Sequence, residues 1–215
     1  MVTMLDEVIF RASIRELAVR DSDLARVVKT YGAPPLWVRE PGFPSLVYII
    51  LEQQVSLASA RAAFQRLRAV VSPLTPPRFL KLSDEQLKQI GFSRQKTLYT
   101  RLIAESLVRK HLDLNDLHDL SDDSARKFLI ALKGIGAWTA DIYLLSALRR
   151  PDVWPIGDLA LAIAVQEVKR LRSRPSPERL EKISQLWRPH RATAARLFWH
   201  AYLSKRGQNS ATISL

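Results

Sequence analysis

The sequence of 215 residues contains no cysteine. This absence excludes disulfide bridges, a thiol nucleophile, thiolate-bound zinc and an iron–sulfur cluster held by cysteines. The histidines do not have the spacing of metal ligands, so we interpret them as surface residues or hydrogen-bonded core residues. They are His111, His118, His190 and His200.

Long hydrophobic runs are also absent from the chain. The longest, residues 46–51 and 159–165, are far shorter than the roughly 20 residues that cross a bilayer. Six charged residues fall within the first 20, which does not fit a secretory signal. We therefore expect no membrane association and no secretion. The expected location is the cytoplasm, with the nucleoid, or the nucleus of a eukaryotic cell.

Acidic residues are scarce relative to basic ones. The chain has 33 lysines and arginines against 21 aspartates and glutamates, a net charge of +12. The excess is uneven, with 17 basic and 13 acidic residues up to Leu120, but 16 and 8 from Ser121 onward. This balance favours a polyanionic partner, nucleic acid before a membrane, docking on the later part of the chain.

Glycine is rare, with seven in the chain, and patterns of alternating polarity are scarce. Apolar residues instead recur at helical spacing. Asp21, Ser93 and Ser121 each stand where an N-cap is expected, and Ser83 with Gln86 has the form of a capping box. The sequence therefore predicts an all-α fold of about ten helices.

Two of the few glycines, Gly134 and Gly136, join two predicted helices with Ile135 between them. Glycines here allow unusual backbone angles and expose the amides that begin the second helix, which together with the helix dipole favour a phosphate oxygen. Lys133 and Arg149 add positive charge, and Ile135 is expected to fill the core of the hairpin. A plain connection between two helices is the structural alternative.

A second informative segment places Asp158 at the start of a helix, directly after Pro155 and Gly157. An aspartate at this position is most often an N-cap. Beside a sugar, the same carboxylate can stabilise an oxocarbenium-like centre or orient water. Both roles are compatible, since the N-terminus of a helix favours negative charge.

Residues 132–140 (LKGIGAWTA) together with Gly157, Asp158 and Leu159 resemble the helix–hairpin–helix DNA glycosylase superfamily, and within it the alkylated-base, 3-methyladenine type II branch. Residues 50–56 resemble the wedge loop of that branch, residues 91–96 its short basic turn and residues 187–199 its C-terminal helix. The resemblance covers roughly residues 46–199. Glu52 and Ile142 depart from the residue types found in some members.

The resemblance implies a role for several side chains. Asp158 matches the catalytic aspartate. Trp138 and Trp199 match aromatic positions of the base pocket, to which we add Trp154. Trp138 also falls where bifunctional members carry a Schiff-base lysine, which implies a monofunctional enzyme.

The DNA contacts are implied in the same way. Gln54, with Gln53 beside it, matches the residue inserted into the gap left by a flipped nucleotide. The phosphate contacts implied by the hairpin, the basic turn and nearby cations are Lys133, Gly134, Ile135, Gly136, Arg94, Lys96 and Arg149. The carbonyls of Leu132, Gly134 and Gly136 match those that hold a sodium or potassium ion in the family.

The function implied is that of a monofunctional DNA glycosylase of base excision repair. Such an enzyme flips out an alkylated base of the 3-methyladenine type and hydrolyses its N-glycosidic bond, leaving an abasic site. The implied partner is double-stranded DNA containing a damaged base, bound by a monomer. Apart from the monovalent cation no cofactor is implied, and an iron–sulfur cluster is not expected.

The implied architecture is two helical lobes around a cleft, with a helix–hairpin–helix motif followed by the catalytic aspartate. We expect residues 1–45 to pack with the C-terminal helices and residues 46–150 to form a lobe with the motif at about 122–148. Residues 151–205 would carry the catalytic segment and the last helices, and residues 206–215 a frayed tail.

Other readings of these residues are open at this point. The tryptophans could be core residues, Gln53 and Gln54 a solvated helix end, and Arg94 with Lys96 a solvated face. The chain could then be a non-catalytic hairpin protein that binds bent or damaged DNA. A glycosylase for oxidised or deaminated bases, and a basic scaffold for RNA, are further alternatives.

Overall fold

Helices form the secondary structure of the described chain. The computed structural model describes residues 4–208, in which it has twelve α-helices, two 3₁₀-helices and no strand. This confirms the all-α prediction. The predicted caps are also confirmed, because Asp21, Ser93 and Ser121 each accept a backbone N–H in the first turn of a helix. Ser83 and Gln86 form both halves of the capping box.

The chain divides into two compact units. Unit 1 combines the described residues up to Arg39 with those from Leu144 onward, and unit 2 is the continuous segment Glu40–Tyr143. The boundaries predicted after residues 45 and 150 are therefore several residues too late. Of the predicted tail, residues 206–208 are described and Arg206 pairs with Glu167 at 2.9 Å, whereas residues 209–215 lie outside the described part.

Unit 1 joins the first two helices to the last three, so both ends of the sequence build one core. Its helices are α1 (Glu7–Arg20), α2 (Ser22–Tyr31), α10 (Leu159–Val168), α11 (Pro177–Ser184) and α12 (Arg191–Lys205). Arg196 of α12 is buried and donates to the carbonyls of Leu36, Leu145 and Ala192. Burial lowers the pKa of this guanidinium to about 9.

Asp21 is the polar centre of unit 1. Its carboxylate caps α2, accepts hydrogen bonds from Lys169 Nζ at 2.7 Å and accepts another from the indole of buried Trp187 at 2.8 Å. Burial raises the pKa of Asp21, but these hydrogen bonds outweigh burial and hold the pKa below its usual value. The carboxylate therefore stabilises the folded state at neutral pH.

Replacing Asp21 by asparagine should lower the free energy of unfolding by about 2 kcal/mol at pH 7, because Lys169 loses its more buried partner and keeps only the carboxylate of Asp23 at 3.1 Å. A lowered pKa gives stability that is present above the unfolded value near 3.9 and is lost as pH falls through the folded value. The deficit should therefore shrink below pH 4. Urea unfolding at pH 7 and pH 3 measures this, with Asp119→Asn on the surface as control. An equal deficit at both pH values would contradict the assignment.

Unit 2 is built around one almost completely buried helix. Its helices are α3 (Phe43–Glu52), α4 (Leu57–Val70), α5 (Pro76–Phe79), α6 (Asp84–Ile90), α7 (Arg94–Val108) and α8 (Asp122–Ile130). Nearly every residue of α3 is buried. The ring of Phe79 lies 5.7 Å from both Phe43 and Phe92, which packs α3 against α5 and the start of α7. The remaining helix, α9 (Ala137–Ser146), begins in unit 2 and ends in unit 1.

Candidate active site

Asp158 is the N-cap of α10, which confirms the capping role predicted for it. Its Oδ1 accepts a hydrogen bond from the backbone N–H of Leu161 at 2.7 Å and one from the indole Nε1–H of Trp199 at 3.2 Å. The side chain is partly exposed. Two donors on one oxygen orient the carboxylate, while its position at a helix N-terminus favours the anion.

The three candidate pocket tryptophans have different environments. Trp199 on α12 is partly exposed and contacts Asp158, and Trp138 in the first turn of α9 is partly exposed as well. Trp154 is 4% exposed, with ring centroids 5.3 Å from Trp187 and 6.5 Å from Phe198. Trp154 therefore belongs to the aromatic core of unit 1. This corrects its assignment to the base pocket, because an enclosed ring has no open face for a base.

Gly134 gives the hairpin the unusual backbone angle that a glycine allows. Gly134 has φ of +95°, and a Cβ atom there would lie 2.2 Å from Cγ of Tyr99, so this turn packs directly on a ring of α7. Ile135 is 4% exposed and fills the hairpin core as expected. Its N–H donates to the carbonyl of Leu132 at 3.0 Å, which corrects the prediction that it binds phosphate.

The start of α9 provides the amides expected for an anion site. The carbonyl of Gly136 accepts the N–H of Ala140 at 3.0 Å, which is the first hydrogen bond of the helix. The N–H groups before Ala140 have no acceptor within the helix, and the helix dipole favours negative charge there. Gly136 and Lys133 are both exposed beside these amides. This arrangement can bind a phosphate oxygen.

The remaining predicted cations are not equivalent. Arg94, the first residue of α7, is exposed, and Arg149 in unit 1 is partly exposed with φ of +53°. Lys96 instead donates from Nζ to the carbonyl of Leu51 at 2.8 Å and to that of Gln53 at 2.9 Å. Its burial lowers the pKa of the ammonium group. Lys96 is thus engaged within the protein, in contrast to the predicted phosphate contact.

The wedge loop, which we define as residues 53–56, follows the end of α3. Gln54 is exposed and has φ of +56°, a left-handed conformation that is uncommon for a residue with a side chain. The side chain of Gln53 turns inward, donating from Nε2 to the carbonyl of Gly134 at 3.1 Å and to Oγ1 of Thr139 at 2.9 Å. The wedge prediction therefore stands on Gln54 alone, and Gln53 supports the hairpin.

Sequence reasoning missed Tyr99 and Thr139, which hold the hairpin from α7 and α9. Tyr99 lies three residues after Lys96, on the same side of a helix. Nothing in that spacing indicates that Lys96 contacts the wedge loop and Tyr99 the hairpin. Thr139 is buried, and no feature of the sequence distinguishes it from other small residues in helices. The interactions join segments far apart in sequence, so no local pattern reveals them.

Family comparison extends over the same elements. Residues 47–189 match the family model described as HhH-GPD superfamily base excision DNA repair protein. The chain belongs to this superfamily. The matched residues include the end of α3 from residue 47, the wedge loop, the hairpin and the helix that Asp158 caps.

Two relatives and one solved structure illustrate the similarity. The alkylbase DNA glycosidase-like protein mag2 of Schizosaccharomyces pombe is 25% identical over 93% of this chain and 97% of its own length. The putative DNA-3-methyladenine glycosylase YfjP of Bacillus subtilis is 24% identical over 84% of this chain, which spans 66% of that relative. The S. pombe 3-methyladenine DNA glycosylase Mag1, solved in complex with abasic DNA, superposes with a TM-score of 0.81 at 25% identity, covering 91% of this chain and 97% of that one.

Within residues 4–208 no cluster of three or more histidine, aspartate or glutamate side chains could hold a metal ion. None of the helices described there is long and apolar enough to span a membrane.

Proposed function

We propose that this HhH-GPD protein is a monofunctional DNA glycosylase of base excision repair that removes an alkylated base of the 3-methyladenine type. It hydrolyses the N-glycosidic bond and leaves an abasic site. The observation that carries the proposal is the carboxylate of Asp158, partly exposed at the front of α10 and oriented by Leu161 and Trp199. The names of the relatives support the same class of substrate.

The chemical step depends on the charge of Asp158. As the bond between base and sugar breaks, positive charge develops on the deoxyribose, and an adjacent carboxylate stabilises it and orients the attacking water. An alkylated purine that already carries a positive charge is a good leaving group. The base therefore departs without a strong general acid, and one well-oriented anion is sufficient.

Base selection depends on access and stacking. A damaged base has to leave the helix stack before its glycosidic bond can be reached, which costs a few kcal/mol, least for a poorly paired lesion. The exposed side chain of Gln54 fills the vacated space. A cationic base stacks on the partly exposed ring of Trp199, which contacts Asp158, with a cation–π attraction of roughly 0.5–2 kcal/mol. Because Trp138 replaces a Schiff-base lysine, the strand is left uncut.

The hairpin binds the DNA backbone in this proposal. Its carbonyls also suit the monovalent cation that the family resemblance implies. Those of Leu132, Gly134 and Gly136 each accept one hydrogen bond, from Ile135, Gln53 and Ala140, and a carbonyl oxygen has a second lone pair. These three oxygens would hold a sodium or potassium ion, whose charge would add to the attraction for phosphate. Double-stranded DNA with a damaged base is the proposed partner, bound by a monomer in the compartment that holds the DNA.

Replacing Lys133 by alanine should weaken binding to all duplexes equally, because an exposed lysine beside the hairpin amides neutralises a phosphate without reading bases. The slope of log affinity against log salt concentration should become shallower by about one. Fluorescence anisotropy between 50 and 200 mM salt, over which the Debye length falls about twofold, measures this. Lys81→Ala, another exposed lysine, is the control, and an unchanged slope in Lys133→Ala would remove the phosphate contact.

The function is tested by release of free base from a panel of DNA substrates that carry methylated, ethenoadenine or deaminated bases. We expect release of methylated purines, detected by chromatography of the soluble fraction. Release confined to deaminated or oxidised bases would assign a different substrate. Binding without release from any substrate would make this a non-catalytic DNA-binding protein.

A further inference from the structure

The end of α3 is held by a lysine from another helix. The last carbonyls of a helix have no donor within it, and here two carbonyls at that end, those of Leu51 and Gln53, both accept from the ammonium of Lys96. The distances are 2.8 and 2.9 Å. The side chain of Lys96 is partly buried, and this burial lowers the pKa of its ammonium group. Lys96 is thus a cap for α3 that α7 supplies.

This cap acts directly on the backbone of the wedge. The carbonyl of Gln53 and the N–H of Gln54 belong to one planar peptide group, so fixing the carbonyl also fixes the plane from which Gln54 extends. Gln54 has φ of +56°, a conformation that costs free energy and persists only where surrounding contacts impose it. The ammonium of Lys96 is such a contact.

The same corner of unit 2 ties the wedge to the hairpin. The side chain of Gln53 donates to the carbonyl of Gly134 at 3.1 Å. Tyr99, three residues after Lys96 on α7, packs against Gly134 so closely that a Cβ atom there would overlap its ring. The first turns of α7 therefore contact both elements, Lys96 holding the wedge loop and Tyr99 the hairpin.

We propose that Lys96 is a positioning residue for base flipping, which presets the backbone of Gln54 for insertion into duplex DNA, and that it is not a phosphate contact. The inference rests on the proposed function, because it assumes that Gln54 enters the DNA. A loop already ordered before binding loses less conformational entropy on insertion. The benefit is largest where the base is well paired, since extrusion then costs most.

The test compares Lys96→Met with the wild type on one alkylated base, set opposite its normal partner or opposite a base with which it cannot pair. We expect excision from the paired site to slow about tenfold and excision from the mismatched site to change less than about threefold. The salt dependence of DNA affinity should stay unchanged.

Two further variants serve as comparisons. Lys96→Arg, which keeps a charged donor, should recover most of the excision rate at the paired site. Lys88→Met, on the exposed surface of α6, is the matched control.

A second readout does not require excision. With 2-aminopurine beside an unreactive abasic analogue, wild-type binding should raise fluorescence as the wedge disturbs stacking, and Lys96→Met should lose most of this rise at saturating protein. If Lys96→Met is unstable in urea, Lys96→Gln, a smaller neutral donor, replaces it with the same expectations. The inference would be overturned if Lys96→Met slowed excision equally at the paired and mismatched sites and also made the slope of log DNA affinity against log salt concentration shallower by about one. That result would identify Lys96 as a phosphate contact. The inference would also be overturned if Lys96→Met behaved like the wild type in both the excision and the fluorescence measurements. If the wild type itself released no base, the proposed function would be overturned instead.

Discussion

Asp158→Asn should release alkylated bases at least about 100-fold more slowly than the wild type, while its affinity for the same DNA changes little. The amide has the size of the carboxylate and loses the charge that stabilises the developing sugar cation. Asparagine and aspartate are comparable N-caps, and the amide oxygen can still accept from Leu161 and Trp199. The variant therefore separates the catalytic role from the capping role. Single-turnover kinetics at saturating enzyme, with anisotropy for binding, measures both.

Asp158→Ala is the matched comparison, because it removes the cap and the charge together. It should lose activity to the same degree and also lose about 1 kcal/mol of stability, which Asp158→Asn should largely keep. If Asp158→Asn excised bases at the wild-type rate, the side chain would be only a helix cap. If Asp158 were only a helix cap, Asp158→Asn and Asp158→Ala would differ from each other in stability but not in excision rate.

Gly134→Ala should lower the free energy of unfolding by about 3 kcal/mol and weaken DNA binding by about tenfold. The residue has φ of +95°, and the added methyl carbon would lie 2.2 Å from Cγ of Tyr99. The hairpin has to move away from α7, and the amides at the start of α9 move with it. Urea unfolding and anisotropy titration measure the two effects.

Gly136→Ala is the control for stability, since a Cβ atom at Gly136 meets nothing within 4 Å. Its free energy of unfolding should stay within about 1 kcal/mol of the wild type. The double variant Gly134→Ala with Tyr99→Ala should recover DNA affinity in part, because it removes the ring that the methyl group meets. A Gly134→Ala protein as stable as the wild type would contradict the close packing of the hairpin on Tyr99.

Local patterns in the sequence were sufficient to predict the helices and the N-cap role of Asp158. A cap depends on a side chain and on amides two or three residues later, so Ser83, Ser93 and Asp158 could be assigned without knowledge of the tertiary fold. The hairpin was visible for the same reason, because Gly134 requires a backbone conformation that few other residues adopt. The role of Ile135 in the hairpin core also followed from its position.

Contacts between distant segments could not be predicted in this way. Lys96 and Arg94 are both cations in the same turn, yet one binds carbonyls 43 and 45 residues earlier and the other is exposed. Trp154 and Trp199 are equally aromatic, but Trp154 is enclosed by the core. Only the packing of helices decides which of these side chains remain accessible.

The division into units shows a related limit. Unit 1 takes its helices from both ends of the chain, and its polar centre joins Asp21 to Lys169 and Trp187. Linear features such as proline-rich breaks mark where helices end. They do not show where the chain leaves one core and enters another, which places the predicted boundaries several residues late.

Monofunctional base release is tested most directly by product analysis from one methylated purine in a labelled duplex, incubated with excess wild-type protein. We expect free methylated base and a full-length strand that breaks only after alkali, the signature of an abasic site made without lyase activity. A duplex that is bound and still carries its methylated base at the end of the incubation would contradict this expectation.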